Sequence, residues 1–166
     1  RAQAAGTINR VDRRHVVAVS LFHRRAGLKV DSERCSRQCE LDVVNGERWR
    51  TAEIPAVNGH GTAVAVARFY VGLAGGGELA GVRVVSPETV AAMTRGELTA
   101  VDAFVGDERT WGLGVGIDED GFGMGGLGGS LGLADPALGL AESYVTRHMA
   151  GHDRAELVDA ALRAAL

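Results

Sequence analysis

Lysine occurs once in this sequence, at Lys29, although arginine is plentiful. The 18 cationic side chains are outnumbered by 21 carboxylates, which leaves a formal charge of −3. Such a balance supplies no global positive field to hold nucleic acid, and the densest basic patches, "RVDRR" and "HRR", read as solvated surface. Long apolar runs are missing too: nothing approaches the roughly 18–20 residues of a membrane span. No signal peptide is visible, which favours a cytoplasmic location, although the chain opens on Arg1 rather than Met. Cysteine is limited to Cys35 and Cys39, in "CSRQC". That pair lacks the second pair or the histidines that a zinc site needs, so no metal is expected.

Glycine, in contrast, is abundant. Seven of the twelve residues from Gly121 to Gly132 are glycine. Gly121, Gly123 and Gly126 spell G-x-G-x-x-G, a dinucleotide fingerprint, and Gly128 to Gly132 spell G-x-S-x-G, a nucleophile elbow. Both patterns need a helix directly after the glycines. The residues that follow are "GGSLGLADP", where further glycines and Pro136 leave no room for one. An elbow at Ser130 would also need Asp135 with His148 or His152, drawn from neighbouring strands. The alternative reading is a bare strand whose missing side chains let another surface, or a ligand, come close.

The 166 residues suit one ordinary domain. Residues 1–48 carry few signals beyond "HVVAVSLF" (15–22), which reads as a buried strand. From Trp49 onward the pattern sharpens. Thr62 is placed to cap a helix over "AVAVARFYVGLA", closed by Gly75 to Gly77. Ser86, Pro87 and Glu88 form a second helix start, with proline at the position where its missing N–H costs nothing. "WGLGVGI" alternates with period two, which predicts a strand over 111–117 with a glycine face. "DEDG" and "ADPALG" read as turns, and "LAESYVTRHM" (140–149) as a further strand. Asp153 with Glu156 resembles a capping box, and Leu157, Val158, Ala161, Leu162 and Ala165 form one apolar helical stripe.

In their order and spacing, "WRTAEIPAVNGHGTAVAVARFYVGLAGGGELAGVRVVSPETVAAMT", "WGLGVGI" and "FGMGGLGGSLGLADPALGLAESYVTRHM" resemble the C-terminal portion of the serine β-lactamase-like family. That family includes class C-like enzymes, esterases and penicillin-binding-protein relatives of bacteria. The resemblance covers 49–166. It implies an α+β fold of the β-lactamase/transpeptidase type, with three antiparallel strands packed against flanking helices.

The chemistry it implies is acyl transfer without a cofactor. A serine activated by a lysine three residues later forms an acyl-enzyme that water hydrolyses, assisted by a Tyr-x-Asn element. A third element, usually Lys-Thr-Gly or His-x-Gly, falls on Met124-Gly125-Gly126, and the N–H of Leu127 follows as oxyanion donor. Met124 stands where lysine or histidine is usual, and a thioether cannot donate a charged hydrogen bond. His60, in "NGHG", together with Gly125, Gly126 and Gly128, would line the substrate side.

The first two elements are missing from the sequence. No serine (20, 32, 36, 86, 130 or 143) has lysine at +3, and neither Tyr70 nor Tyr144 has asparagine at +2. Three readings stay open. The chain is a fragment or truncated member of a serine hydrolase, inactive alone on esters or β-lactams. Otherwise it is a non-catalytic module, derived from that fold, that binds a ligand or partner. The third, less favoured, is a G-x-S-x-G hydrolase using Ser130. A chain lacking the half that normally covers the sheet is expected to self-associate, or to pair with that missing N-terminal half.

Overall fold

A computed structural model describes residues 7–11, 14–20, 46–54, 59–102, 106–126, 128–146 and 150–166, the first two stretches for their backbone alone. The strands are β1 (Thr7–Val11), β2 (Arg14–Ser20), β3 (Glu78–Leu79), β4 (Val82–Arg83), β5 (Leu98–Val101), β6 (Glu108–Trp111), β7 (Gly116–Asp118), β8 (Gly121–Gly126), β9 (Ser130–Asp135) and β10 (Leu140–Val145). The helices are α1 (Glu47–Thr51), α2 (Ala63–Ala74), α3 (Pro87–Met93) and α4 (Asp153–Arg163). Eight strands form one sheet in the order β1-β2-β10-β9-β8-β7-β6-β5, and β3 with β4 forms a separate hairpin. Strands β5 to β10 run as a six-strand antiparallel meander, and β2 joins β10 in parallel. The expected α+β arrangement is present, with antiparallel strands of this larger sheet packed against flanking helices.

α2 forms where the capping signal places it. The Thr62 side chain accepts from the Ala65 N–H at 3.2 Å, a cap worth about 1 kcal/mol. The helix lies across one face of the sheet. Tyr70 and Leu73 pack there with Phe122, Ala134 and Ala141 as the main core, while Ala63 and Ala67 pack near Val145. Gly132 makes the close fit. A Cβ at that position would meet the Tyr70 ring and would lie 2.8 Å from Val66 Cγ1. α3 starts as expected, with Ser86 accepting from the Thr89 N–H at 3.1 Å and Pro87 in its first turn.

Two expectations need correction. "WGLGVGI" is a hairpin corner instead of one strand. Trp111 ends β6 and pairs with Gly116 of β7, and the Gly112 N–H donates to the Val115 carbonyl at 2.9 Å. The corner is pinned by α3: Leu113 N–H donates to the Met93 carbonyl at 3.0 Å, and a side chain at Gly112 would strike that same oxygen. Gly114, at φ +82°, makes the reversal that other residues rarely adopt. The alternation is real but reports two arms of a turn.

α4 differs as well. His152, not Asp153, is its N-cap, with no side-chain capping bond. Its expected apolar stripe is split: Leu157, at 71% exposure, Ala161 and Ala165 are exposed, while Val158 and Leu162 are partly buried. The row toward the sheet is His152, Ala155, Asp159 and Arg163. A charged row docks there because β9 and β10 present Asp135 and Glu142, both buried, and a buried carboxylate needs a partner.

The strand expected at 15–22 is seen as β2 over its described part, and β1 carried no signal that was read. The strand expected over 140–149 ends at Val145, with 147–149 outside the described residues. Cys35 and Cys39 also lie outside them. Among the described residues no helix is long and apolar enough to cross a membrane, and no cluster of three metal-type ligands occurs.

Candidate functional site

Alternation along β8, β9 and β10 sorts their side chains between the two helices. Phe122, Met124 and Gly126 of β8, with Ser130, Gly132 and Ala134 of β9, look toward α2. Gly125 looks the other way and meets His152, as Asp135 meets Arg163. On β10, Ala141, Ser143 and Val145 turn to α2, and Leu140, Glu142 and Tyr144 turn to α4. The six α2-facing positions of β8 and β9 carry no ionisable group.

The glycine stretch is a strand and a turn. All of Gly121 to Gly126 lies within β8, so no helix opens after it to receive a pyrophosphate, and the dinucleotide pattern is a coincidence of composition. Gly126 pairs with Ser130, and the Gly129 N–H donates to the Gly126 carbonyl at 3.1 Å. Gly128 and Gly129 sit at φ +98° and +92°, a conformation that reserves the turn for glycine.

Ser130 therefore begins a β-strand and stands on no elbow. It faces α2, whereas Asp135 faces α4 and His152 caps that helix on the opposite side of the sheet. Asp135 is already committed, accepting from Arg163 Nη1 at 2.7 Å and from the Leu138 N–H at 3.0 Å. A Ser130–Asp135–His152 triad is not assembled, and His148 lies outside the described residues.

Met124 is the exposed side chain at the end of this face, at 44%. Its backbone is tied to α2 through a hydrogen bond with the Tyr70 hydroxyl; burial raises the Tyr70 pKa, and this bond only partly offsets the rise. Gly126 lies beside it with open space: a Cβ there would touch only Ser130, at 3.6 Å. The loop holding His60 is exposed. Val66 links that loop to the strands, since it lies 3.6 Å from a Cβ placed at Gly61 and 2.8 Å from one at Gly132. Gly132 is the cross-strand partner of Met124. His60, Met124, Gly126 and Gly128 thus belong to one end of the sheet, with Gly125 turned to its back. Leu127, the expected oxyanion donor, lies outside the described residues.

Among the described residues, this face of β8 and β9 offers main-chain groups and space but no ionisable side chain. Among the described serines, Ser86 is used as a cap and Ser143 is 2% exposed with an unpartnered Oγ.

A charged network behind the sheet was not anticipated from sequence. Arg163 bridges Asp135 at 2.7 Å and Asp159 at 2.8 Å, with Asp120 at 3.8 Å. Beside it Glu142 is pushed up to about 8, first by burial and then by the charge and hydrogen bond of Asp159, with Arg163 opposing. A lone glutamate within the apolar "LAESYV" and the i,i+4 pair Asp159/Arg163 were the available signals.

A family model described as Beta-lactamase matches residues 8–166. The chain is 41% identical over 103 residues to Esterase/beta-lactamase LipL of Mycobacterium tuberculosis, a match covering 57% of this chain and 23% of that protein. It superposes on a family VIII carboxylesterase with TM-score 0.65 and 36% identity, over 72% of this chain and 36% of the other. A penicillin-binding protein homolog from Caulobacter crescentus gives TM-score 0.59 at 35% identity, over 64% and 31%. The chain thus spans well under half the length of each.

Proposed function

The chain belongs to the β-lactamase family, and on that premise we propose that it carries the oxyanion side of a serine acyl-transfer site without the nucleophile. The substrate class is a small acyl ester or a β-lactam, as the names of its relatives suggest. Met124-Gly125-Gly126 is the substrate-facing strand, the Leu127 N–H its oxyanion donor, and His60 and Gly128 flank the approach. The observation that supports this most is the uncharged, open end of β8 in a sequence that has no Ser-x-x-Lys. An acyl carbonyl can lie against a glycine edge and reach the main chain, and preorganised N–H donors of that kind stabilise a tetrahedral oxyanion. Covalent catalysis needs an activated nucleophile as well, and sequence beyond this chain would have to provide it. The purified chain should therefore not hydrolyse nitrocefin or p-nitrophenyl butyrate. Turnover that Ser130→Ala abolishes would overturn the proposal.

Met124 favours a second reading. A thioether in place of lysine or histidine removes the charged donor, as in a non-catalytic module that keeps only ligand binding. A thermal shift with β-lactams or acyl esters and no turnover, even with the missing elements supplied, would select it. No shift with any ligand would count against a retained pocket.

A further inference from the structure

The back of the β8 end is met by one short segment. The Ala150 N–H donates to the Gly128 carbonyl at 3.0 Å. The Gly151 carbonyl oxygen occupies the space that a Cβ on Gly129 would need. His152 closes the row against Gly125, with Nε2 at 2.7 Å, Cε1 at 3.3 Å and Cδ2 at 3.4 Å from a Cβ placed there. Three consecutive residues thus support positions 125, 128 and 129 from the side opposite Met124 and Gly126.

The support is itself anchored. The His152 carbonyl accepts from the Glu156 N–H at 3.0 Å as α4 begins, and the far end of α4 is fastened to β9 through Arg163 and Asp135 at 2.7 Å. His152 Nε2 is buried and, among the described residues, has no hydrogen-bond partner. An apolar side chain would avoid that cost, so burial stability alone does not account for an imidazole here. A strand rich in glycine has soft dihedrals and no side chains to lock it. An oxyanion donor, in contrast, must be held to within about half an ångström.

We propose that Ala150–Gly151–His152 is the floor that fixes the backbone of this strand end, and that His152 is its positioning residue. The inference rests on the reading of β8 as the oxyanion strand.

A double-mutant cycle on the full chain tests it. Gly125→Ala should lower the thermal midpoint by several degrees, and His152→Ala should recover at least half of that loss in the double variant, because the methyl takes the space of the ring. Additive effects would overturn the proposal. Amide hydrogen exchange supplies a local readout. In His152→Ala, the Gly129 and Ala150 amides should exchange at least tenfold faster while those of Leu133 and Ala141 keep their protection. His152→Gln, which reaches the same point through its amide, should restore slow exchange. Unchanged exchange, or equal loss across the whole sheet, would refute a positioning role. Neither readout uses turnover, so hydrolysis by this chain would sink the proposed function while an additive cycle would sink only the floor.

Discussion

Replacing Glu142 by glutamine should abolish most of the pH dependence of stability between pH 5 and 8. Glu142 is 3% exposed, and burial, reinforced by Asp159, raises its pKa from 4.5 to about 8. Between those values the folded state holds a proton that the unfolded state has released. Stability is therefore fully present below the unfolded value and is lost as pH rises toward the folded one. The limiting slope is about 1.4 kcal/mol per pH unit, which over the whole window gives an upper bound of roughly 5 kcal/mol. The nearby Arg163 charge opposes the rise and makes the realised change smaller.

Asp135 acts with the opposite sign. Burial pushes its pKa upward, but hydrogen bonds from Leu138 and Arg163 outweigh that, and the net shift is downward from 3.8. Its contribution is present above the unfolded value and disappears as pH falls. Glutamine mimics the protonated Glu142 and leaves the Asp135 limb intact. Urea unfolding followed by the fluorescence of Trp49 and Trp111 at pH 5, 6, 7 and 8 gives the comparison. The variant should match its parent near pH 5, hold nearly constant, and exceed the parent by a few kcal/mol at pH 8. Parallel profiles would refute the reasoning.

Three further outcomes follow from the packing and the edges. Arg163→Met leaves Asp135 buried without its cation and should cost about 3 kcal/mol at neutral pH, shrinking in acid as Asp135 protonates; urea melts at pH 3 and 7 check it. Gly132→Ala drives a methyl into Tyr70 and Val66 and should destabilise by about 2 kcal/mol, read as a drop in thermal midpoint. β5 ends the sheet with all four residues exposed, so the chain should elute larger than a monomer in size exclusion with light scattering. A lysine at Ala100 should move it toward the monomer; a monodisperse parent monomer would contradict this.

The caps at Thr62 and Ser86 were legible because each depends on a few adjacent residues. The six-strand meander was only partly so. "WGLGVGI" has the period of a strand, and only the carbonyl of Met93, distant in sequence, turns it into a corner at Gly112. α4 misled for a related reason. Its apolar stripe is a local pattern, whereas Asp159 and Arg163 are drawn inward by Asp135 and Glu142 on other elements. The glycine stretch had correct local signals, too little space for a helix and room for close approach, yet nothing in it foretold that Gly125 would rest on His152. At the candidate site, the resemblance points to Met124 through Gly128, and the sheet register puts Ser130 on the face opposite Asp135.

The most direct test combines turnover with intact-mass analysis of the purified chain exposed to nitrocefin and p-nitrophenyl butyrate. An oxyanion strand without a nucleophile predicts no hydrolysis above buffer and no acyl adduct on the protein. A burst of product with an acyl mass increment, lost in Ser130→Ala, would contradict the account.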